Sequence, residues 1–216
     1  MADDHLRDCY RGISILPGKE MTVENFSTTG KVTNTIIATI KGVILNPVET
    51  FRASRDDTAD AVFAYLGVLL LFNAIMSAAW MLMYSWIISG YPIRVPDMWI
   101  PVTIFLSISI YSIIYWIIFI LLAGAWIHLW VYILGGRNGI MPTMKAFMYG
   151  MTPWLLFGWI PVIGIFFAVW SFLLDILGIR ELAGLSTGRA ARSMIVSLLI
   201  VVFVFVFYII PAVGFR

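Results

Sequence analysis

Charge is what this chain has least of. Only 12% of its 216 residues are Asp, Glu, Lys or Arg, about half the usual fraction for a soluble domain. The net charge of +2 is too small to attract nucleic acid. There is one cysteine, Cys9, so no internal disulfide can form, and the histidines are only His5 and His128. That scarcity leaves no set of residues with the spacing of a metal site. Walker, Gly-x-Gly-x-x-Gly, His-Glu-x-x-His and Gly-x-Ser-x-Gly sequences are all missing, so the expectation is a protein that is not an enzyme and holds no cofactor, metal or catalytic group. The first 30 residues contain no continuous apolar segment, so the first hydrophobic helix is expected to serve as the membrane-targeting signal.

What the chain has instead is apolar length. It is 61% hydrophobic, and Ala146 to Leu174 runs 29 residues without a charge. Runs beyond about 18 such residues are long enough to cross a bilayer as helix. The expected fold is all-α and polytopic, with five transmembrane helices and an N-terminal amphipathic cytoplasmic helix. Three parts follow: a polar tail over 1–30, an amphipathic interfacial helix over 31–55 and a five-helix membrane domain over 56–216.

In the amphipathic segment, Val32, Ile36, Ile40, Val43, Ile44, Val48 and Phe51 recur at steps of three and four, the period of a one-sided helix. Pro47 should end or kink it. The helix either lies in the inner leaflet interface or packs on the cytoplasmic ends of the membrane helices. Asp57 and Asp60 are placed to cap the first membrane helix, expected over Ala59 to Ile88, with Trp86 and Tyr91 at the far interface. A Pro-rich turn with Arg94 leads to a second helix, from Trp99 or Val102 to Leu134, too long for an upright crossing. The Gly135-Gly136-Arg137-Asn138-Gly139 turn follows.

Ala146 to Leu174 is best read as two short crossings turning at Gly158-Trp159-Ile160-Pro161. The second should end near Leu177, followed by an aqueous loop; Ser186 or Thr187 is placed to cap the last helix, with Arg192 at its rim and Ser193 to Pro211 as its spanning part. Charge counting supports this division. Five crossings put twelve of the fourteen Lys and Arg on the inner side and only Arg94 and Arg216 outside, whereas a single crossing at Ala146 to Leu177 gives ten against four. The positive-inside rule favours the first.

Among the polar side chains within the apolar segments, Asn73, His128, Thr152 and Asp175 are the candidates for a role. Such groups are costly in lipid and normally face protein or water. Asn73 should bond across to another helix. Pro153 deprives the Tyr149 carbonyl of its donor, creating a polar spot beside Thr152. His128 and Asp175 fall at similar depth and are expected to bond, tying the second helix to the fourth. Lys41, Arg52, Arg55, Arg137, Lys145, Arg180, Arg189 and Arg192 would form a weakly basic cytoplasmic surface, with Lys145 snorkelling toward headgroups. Gly124 and Ala125 would allow close helix contact and self-association.

Several segments together resemble the Yip1 domain family over roughly Pro47 to Val213. Asn46-Pro47-Val48-Glu49-Thr50-Phe51 is similar to its Pro-x-x-x-Phe element. His128-Leu129 with Leu134 to Gly139 is similar to its second helix and glycine turn. Tyr149 to Pro153 matches its Tyr-x-x-x-Pro element, and Gly178 to Ala190 its loop before the last helix. The resemblance implies a five-helix domain with a cytoplasmic N-terminus, and for eukaryotic relatives a link to vesicle trafficking and Rab-type GTPases. This chain departs from the eukaryotic pattern in its short N-terminal segment, which counts against GTPase binding and suggests a prokaryotic plasma-membrane member. The functional expectation is a scaffold or adaptor working through the lipid bilayer, self-association or other protein partners; the alternative is an oligomeric channel or transporter for a small solute.

Overall fold

The computed structural model of the chain describes residues 35–89, 99–204 and 206. The expectations for the 1–30 tail, the turn with Tyr91 and Arg94, and the end of the last helix lie outside these residues. The chain divides into two units, 1–39 and 40–216. Of the first, residues 35–39 are described and are helical, with Thr39 Oγ1 donating to Thr35 O at 2.9 Å.

Every element among the described residues is a helix. Helix α1 covers Thr35–Leu45 and α2 Pro47–Ala53. A 3-10 turn over Ser54–Asp56 leads to α3, Ala59–Ser89. Helix α4 is Trp99–Ile133, α5 Ile140–Gly150, α6 Thr152–Phe157, α7 Ile163–Leu182 and α8 Thr187–Val204. Helices α3, α4 and α7 are each long and apolar enough to cross a membrane.

The sequence expectations hold for α3 and α4 nearly to the residue. The amphipathic segment is two helices, because Pro47 starts a new one. The α3 N-terminus is capped by neither Asp57 nor Asp60: Thr58 Oγ1 accepts from Ala61 N at 3.3 Å, and the Asp57 carboxylate is engaged elsewhere. Helix α7 continues to Leu182, so Arg180 and Glu181 are helical rather than part of a loop. The expected turn occupies Gly158 to Val162, where Ile163 N donates to Pro161 O at 2.7 Å and Val162 takes φ 66. Glycine is required at the end of α4. Gly135, at φ 102, turns the chain so that Gly136 N reaches Val131 O and Gly135 N reaches Tyr132 O, closing two carbonyls the helix leaves open.

The short α5 is the hub. Thr143 through Gly150 are buried on every face, and the helix packs against α3, α4 and α7. Lipid is as apolar as leucine, so close packing rather than water exclusion must hold such a bundle. Small residues supply it. Gly124 of α4 lies against the Met144 side chain of α5, so it serves a contact within the chain. Gly178 of α7 sits beneath Phe51 and Ala146. Phe51 is fully buried there, and α2 packs on α7. Of the two expectations for this stretch, packing on the ends of the membrane helices describes α2.

Candidate functional site

Breaking a helix inside an apolar bundle exposes backbone groups that must find partners within the protein. The α5–α6 break at Met151 and the turn after Phe157 do this at both ends of a six-residue helix. At its start, Pro153 cannot donate to Tyr149 O. Thr152 Oγ1 donates there instead, at 2.6 Å. Its proton being committed, Tyr65 must be the donor in the 2.7 Å contact between Tyr65 Oη and Thr152 Oγ1. Trp154 N donates to Ser171 Oγ of α7 at 3.0 Å. At its end, the turn leaves the last carbonyls open. Asn73 Nδ2 reaches Leu155 O at 2.9 Å, and Trp159 Nε1 reaches Leu156 O at 2.7 Å. Side chains from α3 and α7 thus complete a helix too short to complete itself.

Asn73→Leu keeps most of the side-chain volume but removes the donor to Leu155 O. An orphaned buried carbonyl costs about 1–3 kcal/mol. The expected result is a clear drop in melting temperature of the detergent-extracted protein, measured by tryptophan fluorescence. Unchanged melting would show that the turn finds another donor.

A second polar cluster joins α5 to the junction before α3. Lys145 is only 8% exposed. Its ammonium donates to Arg55 O at 3.0 Å and to Asp57 O. Tyr149, one turn further along the same helix face, donates from its hydroxyl to Asp57 Oδ2 at 2.6 Å. Lys145 is therefore not a snorkelling surface residue. It is turned inward because the junction brings two open carbonyls to it.

A third cluster centres on Glu181. Arg52 Nε donates to Oε2 at 2.8 Å, Arg180 Nη2 lies 2.6 Å from Oε1, and Arg55 Nη2 donates to the Glu181 carbonyl at 2.6 Å. The bond to Glu181 holds the Arg52 guanidinium above its ordinary pKa. Nearby, Asn138 Nδ2 donates to Ala183 O at 3.1 Å, linking the glycine turn to the α7–α8 loop. Arg137 lies over the Tyr132 ring, and Arg192 Nε donates to Gly188 O. Lys41, Arg137, Arg189 and Arg192 are exposed.

The expected His128–Asp175 bond does not form. His128 Nδ1 is 3.1 Å from Thr143 Oγ1. Helix α5 packs on both α4 and α7, so a side chain leaving α4 meets α5 first. Asp175 is 3% exposed, and its Oδ1 has no hydrogen-bond partner. That oxygen lies against Gly150. Asp175 also lines a cavity of about 760 Å³ between α4, α7 and α8, with α5 and α6 completing the wall. The rest of the wall is almost wholly apolar and rich in aromatic rings, with Ser171 and Ser197 the other polar members. This cavity was not legible in the sequence, because its lining comes from short stretches of five separate helices. Among the described residues, no group of three His, Cys, Asp or Glu is placed to hold a metal.

A family model described as Yip1 domain matches residues 41–210. Neither curated proteins nor solved structures give a match.

Proposed function

Because the chain belongs to the Yip1 domain family, whose members are membrane proteins, we propose that it is a non-enzymatic membrane scaffold or adaptor with a cytoplasmic N-terminus. It crosses the bilayer five times, in the plasma membrane of a prokaryote. In this reading α3, α4 and α7 are joined as crossings by the broken α5–α6 pair and by α8. The charge distribution supports the orientation, since Arg137 follows α4, Arg180 lies in the last turn of α7, and Arg189 and Arg192 lie at the start of α8. The working surface is the basic cytoplasmic face carrying Lys41, Arg137, Arg189 and Arg192, with partners drawn from other proteins or from further copies of the chain.

One observation carries this reading over transport. The polar side chains of the bundle bond to neighbouring helices instead of lining a path: His128 to Thr143, Asn73 to Leu155 and Thr152 to Tyr149. Of the four candidates within the apolar segments, Asp175 is the exception, its Oδ1 having no partner, and it is the observation that favours the second reading, a small-solute channel or transporter.

Native mass spectrometry of the protein gently extracted from its own cells tests the choice. A foreign protein at fixed ratio supports the adaptor. A homo-oligomer alone counts against it and directs attention to flux assays in vesicles, with Asp175→Asn as the control.

A further inference from the structure

An unpartnered carboxyl in an apolar wall is costly unless something brings it a donor. Asp175 Oδ1 packs against Gly150 without a donor from the protein, and the residue also lines an open volume of about 760 Å³, within the range of small-molecule sites. The volume has a shape. Its α4 wall extends from Tyr115 to Ile127, about 18 Å at 1.5 Å per residue. Asp175 lies toward the same end as Ile127 and Met194, since the ends of α4 and α7 and the start of α8 are linked through Asn138, Ala183 and Arg189. The cavity is thus long and apolar, with a single carboxyl near one end.

Its entrance is also defined. Leu122 of α4 and Leu198 of α8 line the cavity and are 67% and 50% exposed. Both rims are apolar, so the cavity opens sideways toward the hydrocarbon rather than toward water. Trp116, Trp126 and Trp154 line the interior, and tryptophan faces attract an ammonium as well as an alkyl chain. An amine head can take the proton of such a carboxyl and stay bonded to it as an ammonium, which the head of a fatty acid cannot do.

We infer that the α4–α7–α8 cavity is a binding site for a long-chain primary amine that enters laterally from the bilayer, its alkyl chain along α4 and its ammonium on Asp175. The same chemistry has two sources, a free alkylamine or an aminophospholipid.

The test uses the full chain in phosphatidylcholine nanodiscs with a dodecylamine carrying a photoactivatable diazirine, the labelled residues being mapped by mass spectrometry. Labelling should concentrate on the α4 and α8 walls. Dodecylamine should compete and dodecanoic acid should not. Asp175→Asn should weaken competition by about tenfold, equivalent to 1.4 kcal/mol. Ala123→Phe, which fills the cavity from α4 without touching the carboxyl, should abolish wall labelling even if Asp175→Asn fails to fold. Competition by phosphatidylethanolamine added to the discs identifies the bilayer as the source; competition by dodecylamine alone identifies a free amine. Equal competition by dodecanoic acid, equal labelling of exposed α3 residues, or wall labelling that survives Ala123→Phe overturns the inference.

Discussion

Gly150→Ala is expected to destabilise the bundle strongly, by overpacking its core. A Cβ at Gly150 would overlap Asp175 Oδ1, and it would stand 2.9 Å from Asp175 Cγ and 3.0 Å from the Asp175 amide nitrogen. The side chain can rotate away; the amide belongs to α7 and cannot move without shifting that helix. Overpacking of this kind costs about 1–3 kcal/mol, occasionally more, and the upper end applies because α5 is enclosed on all faces. For a chain of this size that corresponds to a fall of about 6–12 °C in melting temperature. Gly150→Ala combined with Asp175→Ala should recover part of the loss, and a double-mutant cycle would measure the coupling. Melting of Gly150→Ala within about 2 °C of the parent would mean that α5 and α7 are not in the contact described.

Lys145→Met is the second large effect. Methionine keeps the unbranched apolar stem but removes the ammonium that donates to Arg55 O and Asp57 O. Hydrogen bonds to charged groups contribute about 1.5–3 kcal/mol each. Part of the loss is offset because Arg55 is exposed and water can solvate the freed carbonyls. A net cost of about 2–4 kcal/mol remains. The loss is local, so proteolysis should register it best. Trypsin cleavage after Arg55 requires the junction to open, and in the variant it should accelerate by at least about tenfold, in keeping with the free energy lost. An unchanged cleavage rate would show that Tyr149 and Thr58 hold the junction without the lysine.

Local features of the chain were legible because they are decided locally. The bounds of α3 and α4 follow from apolar length between polar or glycine-rich stretches. The break near Pro153 and the open carbonyl at Tyr149 follow from the missing amide of proline, and Thr152 Oγ1 occupies that carbonyl as its position suggests. Asn73 bonds across helices as its depth suggests. The sequence places the end of α7 near Leu177, because Gly178 and Arg180 resemble a loop; in the fold, Gly178 is a contact point for Phe51 and Ala146 rather than a terminator.

The sequence by itself determined the helical class, the membrane solvent, the family and the placing of most helix ends. All of these rest on composition, runs and backbone chemistry within a few residues. Only the tertiary structure decided which polar group meets which. His128 faces Thr143 because α5 lies between α4 and α7. Lys145 turns inward because the α3 junction offers it two carbonyls. Asp175 is left at the wall of a cavity, its Oδ1 against Gly150, because α4 and α8 do not close over that part of α7. Such pairings depend on the rotation and register of whole helices against one another. No local pattern encodes them, because each rotation is set by the packing of every neighbour at once.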